Sequence, residues 1–239
     1  MVTLGLDPGL NSVGYCFLQE DGTAVVNTVK APSSAPQFIK MVGQRDALRK
    51  ALDHNQFQIQ YIGIEQPYVP GAGFRAGGGG EQSANMWAVY SMLLDTICEA
   101  RLPVVMFNIT QFHSLILKKR GLSKTEIVAK AKEEQSKFGR IDQHAADAYF
   151  VAKNARSFWR FMDAEMSASD LTPDQRDIFL SRREGNKGKI SGTVWRAGDF
   201  WYDFRKNDPL TSPIGLAKYV TEGRVNLTPQ GDEGIPRVR

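Results

Sequence analysis

The chain has 239 residues, 42% hydrophobic and 23% charged, with a net charge of +4, enough for one packed domain plus an appendage or for two small domains. No uncharged apolar run approaches the roughly 20 residues of a membrane-spanning helix. No basic leader precedes an apolar run at the N-terminus, so neither an anchored nor a secreted protein is expected. Cys16 and Cys98 lie far apart in apolar segments and read as reduced core thiols of a cytoplasmic protein, with neither a disulfide framework nor a zinc site.

In chain order, residues 2–7 within "LGLDPGL" read as a buried strand that ends on Asp7, followed at once by Pro8 and Gly9. Val13 to Leu18 and Ala24 to Val29 are two further strands. Asp21–Gly22 between them is a hairpin signal. "FIKMVGQRDALRKALDH" carries Phe38, Met41, Val42, Leu48 and Leu52 at helical spacing after Pro36. "FQIQYIGIEQP" alternates and then runs apolar, like a strand entering a buried sheet; it too ends on a carboxylate and a proline, Glu65 and Pro67. The glycine-rich "GAGFRAGGGG" at 71–80 predicts a flexible loop. A stripe of Trp87, Tyr90, Leu94 and Ile97 predicts a helix over 83–100, and "PVVMFNI" a strand, after which Thr110 caps a short helix. Ser123 with Glu126 is a capping box, and Asp142 stands at the N-cap of the helix "QHAADAYFVAKNARSFW". Beyond about residue 164 the pattern weakens. Trp195, Phe200, Trp201, Tyr202 and Phe204 there suggest a separate, irregular module with a small core of its own. The order of elements predicts an α/β fold with a mixed sheet.

Charge is concentrated rather than spread. Between Lys118 and Arg140 stand eight Lys or Arg against three Glu, a surplus of five, which suits a polyanionic partner. Such a run is ordinarily a solvated helix face and gains meaning only beside a cleft. Asp7 and Glu65 each end a buried strand, and neighbouring strand ends are where ligands gather in open α/β sheets. His144 and Asp147, three apart on a helix, share one face. Taken singly, each has a bland reading: a turn, a solvated strand end, a first-turn histidine, a surface charge. Taken together, the oxygen and imidazole donors suit hard divalent cations bound with substrate phosphate.

The blocks "LGLDPGLNSVGY", "IGIEQPYV" and "DQHAADAYFVA" resemble the three signature blocks of the RuvC family of Holliday junction resolvases, within the RNase H-like nucleases. They stand in the family's order, and the likeness covers residues 1 to about 158. "FNITQFHSLILKKRGLSKTEIV" resembles the region between the second and third blocks. The resemblance implies an RNase H-like mixed sheet, an antiparallel hairpin plus parallel strands, flanked by helices. It carries over Asp7, Glu65 and Asp147 as catalytic, metal-binding carboxylates, with His144, where many members have aspartate and some histidine, as a catalytic fourth ligand that offers nitrogen and orients or deprotonates the attacking water. Asp142 reads first as a cap and only second as a further ligand. Tyr68 stands where the family places an aromatic that contacts bases, and Arg75 in the following loop is free to reach phosphate. Lys124 matches a DNA-binding lysine, whereas His113 stands where a second lysine is expected; Lys118, Lys119 and Arg120 lie between and compensate.

What the resemblance implies is a Mg²⁺-dependent endonuclease with two ions per site, Mn²⁺ substituting. It would act as a homodimer on four-way junction DNA, with no nucleotide cofactor and no membrane. Met86, Trp87, Tyr90 and Leu93 form a wide apolar face available to the dimer contact, though core packing accounts for most of it. Residues 1–163 are read as the nuclease domain and 164–239 as an extension of unknown role. That unmatched extension marks a divergent member, of the kind phages carry, acting in the host cytoplasm. The rival readings are a relaxed nuclease on flaps and forks, and a non-catalytic junction-binding protein. An actin-like or sugar-kinase ATPase would share the "DPG" turn, but no second glycine-rich phosphate loop is found and the chain is short for that architecture.

Overall fold

The computed structural model describes residues 1–53, 59–66, 79–108, 115–116, 123–180, 182–184, 193–195 and 200–203. Strands β1 (Val2–Pro8), β2 (Ser12–Gln19) and β3 (Ala24–Lys30) form an antiparallel meander. The β2–β3 turn is the expected one: Gly22 takes φ +86°, and the Thr23 amide donates to Asp21 Oδ1 at 2.8 Å. Helix α1 (Gln37–Asp53) follows, then β4 (Ile59–Gln66), helix α2 (Gly79–Glu99) and β5 (Pro103–Asn108). Helix α3 (Lys124–Glu134) opens on the Ser123–Glu126 capping box, and helix α4 (Gln143–Met162) on the Asp142 cap. Helix α5 (Pro173–Leu180) and the short strands β6 (Arg182–Glu184), β7 (Thr193–Trp195) and β8 (Phe200–Asp203) complete the described elements.

The main sheet runs β3-β2-β1-β4-β5-β8. β1, β4 and β5 are parallel neighbours, while β2, β3 and β8 run antiparallel to theirs. Alternation along β1 divides the core in two. Leu4 and Leu6 point into one cluster with Met41 and Leu48 of α1 and Tyr90, Leu93 and Ile97 of α2. Gly5 lies on the other face, under α4, whose Ala148, Ala152, Ala155, Phe158 and Trp159 fill the second cluster. Each face of the sheet is thus covered, which is why its parallel strands read as apolar runs.

Three glycines let α4 lie directly on that sheet. A Cβ at Gly14 would sit 2.0 Å from the His144 carbonyl oxygen, one at Gly5 2.0 Å from that of Ala148, and one at Gly63 2.5 Å from Ala155 Cβ. A side chain at any of them would force helix and sheet apart.

Some expectations are corrected. Cys98 is exposed on the outer side of α2, so only Cys16 is a core thiol; neither is in a disulfide. α2 begins at Gly79, inside the run read as a loop. On α1 the inward face is Met41, Gln44 and Leu48, with Phe38 left exposed; Gln44 stands between the two apolar residues and donates to the Gly9 carbonyl oxygen. On α2 Trp87 is exposed, and Val89, Tyr90, Leu93 and Ile97 point inward. Past residue 164 the chain has more regular structure than its weak periodicity suggested. Leu171 and Phe179 are buried in the α4 cluster, where Phe179 meets Phe107 and Phe158 edge-on or tilted. β8, built from the aromatic run, pairs with β5.

Candidate metal centre

The register of two strands makes this site. β1 and β4 run parallel with Leu6 opposite Ile64, so Asp7 and Glu65 are adjacent at the same end of the sheet. Each is two residues beyond a glycine that faces α4, so both carboxylates point to the α4 side. Asp147, one turn into α4, arrives from above because Gly14 and Gly5 let that helix seat closely. The three side chains are buried, and each offers an oxygen within 4.8 Å of the others.

Three acids this close cannot all be ionised without a counter-charge. Burial pushes the Glu65 carboxyl well above the usual carboxylate range, with the Asp7 and Asp147 charges adding to it. Burial and the Asp7 charge push Asp147 up to about 8, despite opposing effects from Gln143, His144 and Lys124. Asp147 Oδ1 is buried and takes no hydrogen bond. A buried carboxylate oxygen without a partner, on a residue clustered with two further carboxylates, is what a divalent cation satisfies, and the all-oxygen donor set suits a hard ion. The residues therefore fit a divalent metal.

His144 converges on the same place in a different way. Its Nδ1 lies 2.6 Å from Asp7 Oδ2, and its ring stays half-buried with Nε2 uncommitted among the described contacts. The hydrogen bond to Asp7 holds the imidazolium form above the usual histidine range against the cost of burial. Among the described residues, the group whose donor atoms all lie together is Asp7, Glu65 and Asp147, with His144 bonded to one of them. Asp142 caps α4: its Oδ1 accepts from the Ala145 amide at 3.1 Å and from the Thr28 hydroxyl at 2.6 Å, and Lys30 Nζ stands 3.2 Å from Oδ2. Burial works against its charge, but these partners hold the carboxyl below the usual range. Lys124, exposed at the start of α3, lies near enough for its charge to act on Asp147.

Tyr68, Arg75, Lys118, Lys119, Arg120 and His113 lie outside the described residues, as do Thr110 and Phe204. Two contacts were not visible in the sequence. The Tyr90 hydroxyl of α2 donates to the Glu65 carbonyl oxygen, and Gln44 Nε2 donates to the Gly9 carbonyl oxygen at 2.7 Å. Tyr90 looked like apolar stripe; the available hint for Gln44 was its position, three after Met41 and four before Leu48.

Fold and site together define an RNase H-like α/β domain with a carboxylate cluster at the strand ends. More narrowly, the fold is RuvC-like. RuvC of Thermus thermophilus in complex with a Holliday junction substrate superposes with a TM-score of 0.54 at 18% identity, covering 67% of this chain and 96% of that one. A second structure of Thermus thermophilus RuvC gives 0.51 at 17% identity, with the same coverage. The yeast mitochondrial Holliday junction resolvase Ydc2 gives only 0.38 at 19%, over 63% of this chain and 75% of that one, too low to bear on the fold. No family model and no curated protein matches the sequence. Among the described residues, no helix is long and apolar enough to cross a membrane.

Proposed function

We propose that this chain is a divalent-metal-dependent, structure-selective DNA endonuclease that resolves four-way junctions by paired symmetric nicks. The observation that carries the reading is the Asp7–Glu65–Asp147 cluster, with the unpartnered Asp147 Oδ1, on a RuvC-like scaffold. Asp7, Glu65 and Asp147 would hold two Mg²⁺, or Mn²⁺ in their place, which supply an activated water and neutralise charge on the departing 3′ oxygen. The chain's own part is to converge three carboxylates, to exclude bulk water behind them, and to orient Asp7 through His144 Nδ1. His144, bonded to Asp7 through Nδ1 and partly exposed, would hold or move a proton at the attacking water through Nε2. The products would be 5′-phosphate and 3′-hydroxyl ends.

On the substrate side, Lys124 would meet backbone phosphate together with Lys118, Lys119, Arg120 and Arg75, and Tyr68 would stack on a base. A two-fold homodimer would set two such sites against opposed strands, with 1–163 as the nuclease domain and 164–239 as an extension. A phage origin and action in the host cytoplasm accord with the divergence.

The test is a synthetic mobile four-way junction incubated with and without Mg²⁺, beside a flap and a fork. Symmetric nicks confined to the junction support resolution; equal cutting of all three substrates makes the protein a relaxed nuclease. Binding without any cutting leaves a scaffold. Asp7→Asn is expected to lower cleavage by at least a hundredfold while junction affinity stays within twofold.

A further inference from the structure

The loop that leaves the metal centre, Pro8 to Asn11, is gripped from one side by a single helix face. Gln37, Lys40 and Gln44 recur at the three- and four-residue spacing that aligns them on α1. Gln37 Nε2 donates to the Leu10 carbonyl oxygen at 3.1 Å, Lys40 Nζ to Asn11 Oδ1 at 2.9 Å, and Gln44 Nε2 to the Gly9 carbonyl oxygen at 2.7 Å. The first two are partly or fully exposed. Gln44 is 2% exposed, and its Oε1 is buried without a hydrogen-bond partner. Burying an amide with half of it unsatisfied costs stability that methionine or leucine would not. Packing alone therefore gives no reason for glutamine there.

The Gly9 peptide is where that cost has a return. Gly9 follows Asp7 by two residues, and its amide closes the turn on the Ser12 carbonyl at 2.7 Å. A Cβ on Gly9 would lie 3.3 Å from His144 Cε1, so this backbone lies alongside the imidazole at a place where a side chain would press on the ring. His144 in turn holds Asp7 Oδ2. Gln44 on α1, the Gly9 peptide, the His144 ring and the Asp7 carboxylate thus follow one another from one face of the sheet to the other.

We infer that Gln44 is a positioning residue of the metal centre: from α1 it fixes the Gly9 peptide, and through it the placement of His144 and the Asp7 carboxylate. The inference rests on the metal-dependent reading of the acidic cluster. Outer partners of this kind change metal affinity by about 10- to 100-fold when lost.

The experiment is calorimetric titration of Mn²⁺ into the full-length chain, alongside thermal midpoints. Gln44→Met keeps the volume and removes the donor; it is expected to weaken Mn²⁺ binding roughly tenfold with little change in midpoint. Leu48→Ala, one turn along the same buried face, is expected to lower the midpoint and leave Mn²⁺ affinity unchanged. Equal affinity in Gln44→Met and the unmutated chain overturns the inference, as does an equal loss in Leu48→Ala. Should Gln44→Met not fold, Gln44→Leu, which also removes the donor to Gly9, decides: weaker Mn²⁺ binding supports the inference, unchanged binding overturns it. An unmutated chain that binds no Mn²⁺ defeats the metal reading itself, a result distinct from either.

Discussion

Asp147, Glu65 and Asp7 crowd together in a space that favours protons or a cation over bare charge. That preference has a sign. An acid whose folded pKa is raised contributes stability that is complete below its unfolded value and is lost as pH rises through the folded one. For Asp147 the window runs from about 3.8 to about 8, and Glu65 and His144, both raised, act in the same direction. Asp142 and Asp21 are lowered, so what they contribute is lost only in acid, below this range. In chelator, the thermal midpoint is therefore expected to fall between pH 6 and pH 8.5. Adding Mg²⁺ should raise it more at pH 8.5 than at pH 6, because metal takes the place of protons. A midpoint flat in pH and indifferent to Mg²⁺ would mean the acids are not coupled as their geometry requires.

Among the elements, the seat of α4 on the sheet decides whether there is a site at all. Gly14 faces the His144 carbonyl and Gly5 that of Ala148, so these two positions set the height of the helix end that carries His144 and Asp147. Gly14→Ala is expected to cost about 3 kcal/mol, the upper end for overpacking a tight contact, as read by urea denaturation. Cleavage should fall further than that instability explains, since a displacement near 1 Å disorganises a catalytic cluster. Gly22→Ala, strained at a positive φ but in open space at the end of β2 away from Gly14, is the control: it should lose stability and keep its specific activity. The sheet spacing around Gly14 was not legible in "NSVGY". A glycine in a strand announces some close approach, but which helix approaches is a fact of topology.

For the molecule as a whole, the proposed DNA substrate would have to be met by a chain of modest net charge. Its basic surplus lies from Lys118 to Arg140, and Lys124 is a member whose charge acts on Asp147. Lys124→Ala should weaken junction binding across sequences and reduce the slope of log affinity against log salt by about one. Fluorescence anisotropy in Ca²⁺ over a salt series measures this; an unchanged slope would remove Lys124 from the DNA path. At the same scale, β8 continues the sheet beyond β5, covering an edge that would otherwise offer unpaired backbone groups. Local patterning past residue 164 gave no sign of that, because a four-residue strand is defined by its partner rather than by its own periodicity.

Much was available before any coordinates. The strands ending on Asp7 and Glu65, the Asp21–Gly22 hairpin, the capping box at Ser123 and the Asp142 cap are all local: each follows from residues within a few positions of one another. So does the pairing of His144 and Asp147 on one helix face. What only the tertiary structure decided is who meets whom across the sheet: Asp7 beside Glu65 through strand register, Asp147 lowered onto both by three glycines, Gln44 reaching Gly9 from the opposite layer. Those contacts join residues tens of positions apart, and their existence depends on layer spacing and register. Neither quantity is encoded in any short window of sequence, because both are set by the sum of packing over the whole sheet.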